Sequence, residues 1–416
     1  MRADFDTLMA DRALDAMVVG GKVLGNPSLA YLLDGAGLTR ALFVKKRGEE
    51  GLLIVGPMER EEAKAAGYPV ILSSRFDYSG LLRRLGDPLA AKVAYYRRIF
   101  EELDVRGRVG FYGMMERGAA YRFLRALDEQ IEEIEVVGEF GINLIEAARE
   151  TKSEAEAARI REVGKRTAAI IHDTLAFLRR HVVDEEEVLR WDDGRILRVG
   201  HVHEEIRRLI ALSGLEDPEG FIFATGRDAG IPHSKGTAEK PMRLGEVIVF
   251  DIFPREAGGG YFFDMTRTFC LGYAPPEVEQ LYRDVLECQN HVKAALKVGE
   301  LTRTYQQMAC DFFRERGHPT IADHPQTQEG YVHSLGHGVG LELHEAPAFG
   351  DWPGNTARLR PGHVFTVEPG LYYPDRGMGC RIEDVLWVDG DGVVQNLTDY
   401  PYELVVEMPR WDGGLL

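Results

Sequence analysis

With 416 residues, the chain exceeds the roughly 250–300 residues at which a single hydrophobic core stops growing, so two domains are expected. A formal charge of −17 repels phosphate backbones, and no Lys/Arg cluster offsets it, which argues against nucleic acid as a partner. The composition is that of a soluble protein (44% hydrophobic, 28% charged), with no uncharged run near ~20 residues and a polar start, so neither a membrane span nor a secretory leader is expected.

The first 150 residues read as a small α/β unit. Asp6–Arg12 suits a short helix and Ala16–Val19 a buried strand ending at Gly20-Gly21. Leu42–Val44 and Leu52–Val55 flank a polar stretch, the pattern of a hairpin. Val109–Tyr112 and Ile131–Val137 add strands, with a helix between them around Ala119–Leu127. No catalytic constellation stands out in this half.

A second domain, 151–416, begins with a helix whose start is marked by Ser153 and Glu156, the spacing of a capping box. Its apolar face carries Ile160, Val163, Ile170, Ile171 and Leu178. Asp184–Gly200 is charged and less periodic, and an inserted loop is expected within it. Helices are expected at Glu204–Leu212, Glu277–Lys297 and Thr304–Arg316. Strands are expected at Glu246–Phe253, Tyr261–Leu271, Val364–Glu368 and Arg381–Val388, with Phe262, Asp264, Thr266, Thr268 and Cys270 on one face. The four cysteines, Cys270, Cys288, Cys310 and Cys380, show no CxxC spacing and read as free thiols of a reducing, cytoplasmic protein.

Chemistry concentrates in this domain. Asp251 interrupts the apolar run Val247-Ile-Val-Phe-Asp-Ile-Phe, and Asp264 sits in Tyr-Phe-Phe-Asp-Met-Thr-Arg-Thr-Phe. A carboxylate buried in such a strand costs several kcal/mol unless it is paired or binds a cation. The Gly258-Gly-Gly260 segment offers a loop that would let the strands pair and the aspartates meet, with Arg267 as the alternative, non-metal partner. His333, His337 and His344 fall within twelve residues, out of 12 histidines in the chain, among glycines 336, 338 and 340 that permit close backbone approach. Glu368 ends the apolar run Phe-Thr-Val-Glu, and Glu383 lies in Arg-Ile-Glu-Asp-Val-Leu-Trp-Val. Plainer roles remain open, an ion pair of Glu383 with Arg381 and an exposed strand end for Glu368. Oxygen-rich ligation with one imidazole suits Mn, Co or Fe better than a thiolate zinc site.

The order Asp251, Asp264, His337, Glu368, Glu383 in these local sequences resembles the metallopeptidases of the pita-bread (creatinase/methionine aminopeptidase) fold. It is most similar to Xaa-Pro dipeptidases (prolidases) and Xaa-Pro aminopeptidases. The resemblance implies an α+β architecture, a C-terminal pita-bread domain behind an N-terminal creatinase-like α/β domain. It further implies a homodimer acting on small peptides with proline second, and two divalent ions, manganese with cobalt, zinc or iron as alternatives. By the same resemblance Asp251 chelates one ion, Asp264 and Glu383 bridge both, and His337 and Glu368 complete the other. Glu368 then acts as the proton acceptor, with His333 and His344 assisting catalysis. His233, His344 and Arg381 face the substrate side, Arg381 orienting Glu383, and Thr266 stands beside Asp264.

Three positions depart from the family pattern. Asp251 and Asp264 lie thirteen positions apart, more than the family spacing. Glu219 stands where relatives often have a tyrosine. Gly354 or Asn355 occupies the place of the prolidases' carboxylate-clamping arginine, with Arg358 and Arg360 nearby but out of register. Dipeptide cleavage is the leading expectation, and action on longer peptides the alternative. A lyase-type enzyme or a silent binding module on the same fold are the more distant ones.

Overall fold

A computed structural model describes residues 5–408. These divide into two compact units, residues 5–149 with 258–260 and residues 150–257 with 261–408.

The first unit is built on a six-stranded sheet. Its strands are β1 (Ala16–Lys22), β2 (Arg40–Lys46), β3 (Leu52–Val55), β4 (Val70–Leu72), β5 (Gly107–Tyr112) and β6 (Ile134–Val137), in spatial order β4-β3-β2-β1-β5-β6. The hairpin read from Leu42–Val55 is present as the antiparallel pair β2–β3, while β1 runs parallel to β5. Helices α1 (Pro88–Leu103) and α2 (Arg117–Gln130) help cover the sheet, burying Val93, Ile99, Phe123 and Leu127 with Val18, Val44 and Val109.

The second unit opens with α3 (Glu154–Arg179), which begins at the expected capping box. The Ser153 amide donates to Glu156 Oε2 at 2.8 Å, and the Glu156 amide donates back to Ser153 Oγ at 3.4 Å. Its apolar face is buried as the periodicity requires, and at Gly164 it presses so close to Phe263 that a Cβ would lie 2.4 Å from the ring. Helix α4 (Val199–Leu212) starts five residues earlier than the sequence pattern indicates. The reason is local: the Arg198 amide donates to His201 Nδ1 at 3.0 Å, a cap formed by a residue type that does not advertise one. Helices α5 (Pro276–Ala295) and α6 (Thr302–Glu315) follow.

Four strands form the sheet that carries Asp251: β7 (Phe221–Thr225), β8 (Val247–Ile252), β9 (Met265–Leu271) and, added parallel to β9, the short Val405–Val406. Strands β8 and β9 pair antiparallel with Asp251 opposite Thr266. Regular pairing stops at Met265, so Asp264 lies just outside the strand predicted from Tyr261 onward. The longer connection is taken up by Arg255–Glu256, which pairs with Leu215–Glu216 instead.

The remaining strands are β10 (Val364–Val367), β11 (Gly370–Tyr373), β12 (Met378–Arg381), β13 (Asp384–Val388) and β14 (Val394–Asn396). β10 pairs with β13, and β11 with β12. The single strand read over Arg381–Val388 is therefore two, broken at Ile382-Glu383, where the Glu383 amide donates to the Thr266 carbonyl at 3.1 Å. Ile222, Val249, Phe365, Val367, Ile382 and Leu386 join α5 and α6 in one core. Among the described residues no helix is long and apolar enough to cross a membrane.

Candidate metal centre

Each acidic residue of the centre reaches it from a different segment. Asp251 is carried by β8, every residue of which is buried. Asp264 precedes β9, Glu368 follows β10, and Glu383 occupies the break between β12 and β13. His337 comes from an irregular segment laid against β10: the His337 amide donates to Thr366 Oγ1 at 3.1 Å, and the Thr366 amide to the His337 carbonyl at 2.8 Å. The flanking glycines make this approach feasible. A Cβ at Gly336 would lie 2.1 Å from the Thr366 carbonyl oxygen, and one at Gly338 2.1 Å from that of Ala346.

The result is a tight cluster. One ligand atom each from Asp264, His337 and Glu383 lie within 4.8 Å of one another. His337 Nδ1 faces the Gly338 carbonyl at 3.1 Å, which turns Nε2 toward Glu368 Oε1 at 3.3 Å and Asp264 Oδ2 at 3.6 Å. Thr366 Oγ1 donates to Glu368 Oε1 at 3.0 Å, and Thr266 Oγ1 to Glu383 Oε2 at 2.7 Å.

Three carboxylate oxygens in this cluster, Asp251 Oδ1, Asp264 Oδ1 and Glu383 Oε1, are buried with no hydrogen-bond partner. Buried acceptors without donors are costly and rare. Burial and the Asp251 charge push the Asp264 carboxyl well above its ordinary range, and burial with the charge of Asp264 does the same to Glu383. Burial opposes the charged form of His337, yet its hydrogen bond to Glu368 and the charges of Glu368 and Asp264 outweigh that and raise it to about 9. Glu368, although burial works against it, is drawn down to about 2 by His337. These carboxylates repel one another, and one oxygen each of Asp251, Asp264 and Glu383 lacks a donor, as a site for divalent cations would. The donor set fits hard or borderline metals.

Arg381 anchors the acidic group from one side. Its Nη2 donates to Asp251 Oδ2 at 2.5 Å and its Nε to Thr266 Oγ1 at 3.1 Å, so it reaches Glu383 through the threonine hydroxyl. Its Nη1 bonds the Tyr372 hydroxyl at 2.6 Å, and that oxygen lies 3.0 Å from His333 Nε2. Tyr372 and Thr366 escaped the sequence reading. The signal for Thr366 was a hydroxyl two residues from Glu368, as Thr266 is from Asp264, whereas nothing set Tyr372 apart from Tyr373.

The three outer histidines differ. His333 is half-buried and burial lowers its basicity. His344, whose ring centroid is 4.2 Å from that of His337, is pushed down to about 4 by desolvation and by the His337 charge, although its outer edge is exposed. His233 is exposed in the loop whose Pro232 carbonyl accepts from Arg381 at 3.3 Å. Glu219 is exposed, with its carbonyl taken by Lys235 at 3.1 Å.

The loop bearing His344 is fixed by a buried ion pair. Lys152 Nζ lies 2.7 Å from Glu345 Oε2, their side chains 1% and 3% exposed. Glu345 also accepts from the Glu342 amide at 3.0 Å and exchanges backbone bonds with Gly338. Lys152→Met leaves the Glu345 carboxylate buried without the Lys152 ammonium, an expected loss of about 3–5 kcal/mol. Denaturant unfolding should show most of that loss recovered when Glu345→Leu is added. A double variant as unstable as the single one would contradict this account.

Comparison with known proteins follows the same lines. The family model described as metallopeptidase family M24 matches residues 158–390. The chain is 33% identical over 205 residues to a probable dipeptidase, PepE, of Mycobacterium tuberculosis, covering 49% of this chain and 51% of the relative. It thus spans about half the length of that relative. It is 27% identical over 406 residues to the Xaa-Pro dipeptidase of Pyrococcus horikoshii, covering 95% and 96% of the two chains. The structure of an Xaa-Pro dipeptidase from Bacillus anthracis superposes with a TM-score of 0.73 at 24% identity, over 96% of this chain and 97% of the other. Its likeness carries the two-domain fold.

Proposed function

This chain belongs to metallopeptidase family M24, and from that premise we propose that it hydrolyses the Xaa-Pro bond of dipeptides with two divalent cations, manganese foremost. The observation that carries this reading is the convergence of Asp251, Asp264, His337, Glu368 and Glu383, with three of their oxygens buried and unpartnered. Asp264 and Glu383 would bridge the two ions. Asp251, whose Oδ2 is held by Arg381, would offer Oδ1 to one, and His337 with Glu368 would serve the other. When bound, such cations supply Lewis acidity and lower the pKa of the attacking water.

The protein's own groups do the rest. Glu368, held by Thr366, is the acceptor for the water's proton. His344, kept neutral, can donate a hydrogen bond to the oxygen that gains charge at the scissile carbonyl. His333, fixed by Tyr372, and the exposed His233 line the approach for the substrate. Residues 151–416 form the catalytic domain in this reading, and the protein is a cytoplasmic homodimer. The four cysteines, all buried free thiols, support the reducing location.

A second reading, an Xaa-Pro aminopeptidase acting on longer peptides, is favoured by one observation. The arginines closest in sequence to the clamp position are engaged elsewhere. Arg358 donates to the Gly299 carbonyl at 2.7 Å, and Arg360 lies against Glu150 and His363. Asn355 turns inward to the Ala348 and Gly350 carbonyls. Hydrolysis of Ala-Pro and Ala-Pro-Ala by the Mn-loaded protein separates the two. Preference for Ala-Pro is expected from the first reading and comparable or faster tripeptide cleavage from the second. Cleavage of neither would sink the proline-specific assignment.

A further inference from the structure

We infer that Arg267 is a positioning residue for the metal centre, fixing the main chain on which Glu383 sits; the inference rests on the two-cation reading above. Arg267 was a candidate ion-pair partner for the aspartates. The structure places it elsewhere, 1% exposed and with all of its donor nitrogens engaged beneath the centre.

Nη1 donates to the Glu383 carbonyl at 2.8 Å and to the Thr266 carbonyl at 2.9 Å. Nη2 donates to Asp384 Oδ1 at 2.9 Å and the Tyr400 carbonyl at 3.0 Å, and Nε to the Pro401 carbonyl at 3.1 Å. The guanidinium therefore ties together three stretches of chain: the start of β9, the break before β13 and the segment leading to Val405–Val406. Two of these carry the groups that meet in the Thr266–Glu383 hydrogen bond. The Thr266 carbonyl is shared between Arg267 and the Glu383 amide, so a shift of the guanidinium moves both ends of that bond.

Asp384 completes the arrangement. It is fully buried and also takes Lys293 Nζ at 2.7 Å, Asn396 Nδ2 at 3.1 Å and the Tyr402 hydroxyl. The Tyr402 ring stacks 4.7 Å from the Arg267 guanidinium carbon. Only a planar fork with five N–H groups can serve four carbonyls and a carboxylate at once. Lysine keeps the charge and loses the fork.

The test is titration of chelator-stripped protein with Mn²⁺ alone, with the thermal midpoint of each stripped variant measured alongside. Arg267→Lys is expected to bind Mn²⁺ about 10–100-fold more weakly, the usual loss when a group supporting a metal ligand is removed. The triple variant Arg267→Met/Lys293→Met/Asp384→Leu removes the paired charges together, a change that cores often tolerate, and is expected to show the same weakening. Lys293→Met also strips a cation from Asp384 but leaves the Glu383 carbonyl untouched, and should bind Mn²⁺ like the wild type. Wild-type affinity in either folded Arg267 variant, or equal weakening in Lys293→Met, would overturn the role given to Arg267. Absence of Mn²⁺ binding by the wild-type protein would instead overturn the two-cation reading itself.

Discussion

Glu383→Gln should leave a folded protein that no longer retains metal and hydrolyses Xaa-Pro substrates at least about 10³-fold more slowly. Several kcal/mol of charge stabilisation from the cations are at stake, and each 1.36 kcal/mol is tenfold in rate. Glutamine keeps the shape of the side chain and an oxygen to accept the hydrogen bond from Thr266 Oγ1. What it removes is a negative charge crowded by Asp264, Glu368 and Asp251. The stripped variant should therefore be at least as stable as stripped wild type, because the crowding is relieved. Elemental analysis of the purified protein, a thermal scan and an Ala-Pro assay check the three parts. Full metal content in the variant would remove Glu383 from the ligand set.

Removing the cations from the wild-type protein should lower its thermal midpoint by roughly 8–16 °C. A metal present at about 1,000 times its dissociation constant stabilises the native state by roughly 4 kcal/mol, and for a unit of 150–250 residues each kcal/mol moves the midpoint by about 2–4 °C. In the proposed ligand set, the unpartnered oxygens of Asp251, Asp264 and Glu383 would gain a partner on binding. Dialysis against a chelator followed by a scan, then restoration with Mn²⁺, reads the effect. An unchanged midpoint would mean that the cluster is satisfied without metal.

Much of this centre was legible because its residues violate the pattern around them. Asp251 stands out in β8 since a charge in an otherwise apolar, fully buried strand needs a reason. Ser153 and Glu156 marked the start of α3 because the cap is a local interaction, formed by residues three apart. The break at Ile382-Glu383 was not legible. Neither glycine nor proline marks it, and it is imposed by a hydrogen bond to Thr266, far away in the chain. Arg267 illustrates the same limit: its position in β9 was clear, but its partners at 383–384 and 400–401 depend on tertiary packing. Tyr372 and Tyr373 look alike in sequence, yet one bridges Arg381 and His333 while the other meets His318.

The hydrogen bond from Thr266 to Glu383 spans 117 positions, and that separation sets an order of events during synthesis. When Asp251 and Asp264 have left the ribosome, the hairpin that holds them can pair, but the groups that would complete the cluster do not yet exist. At about 5–20 residues per second, Glu383 follows on the order of ten seconds later. Tyr400, Pro401 and Val405–Val406, which close the underside through Arg267 and β9, come later still. The nascent chain thus carries the two aspartates without their later partners, and a cation that needs Glu383 would be held only by a nearly finished protein. A metal taken up so late acts on how slowly the protein comes apart and leaves the rate of its assembly largely untouched.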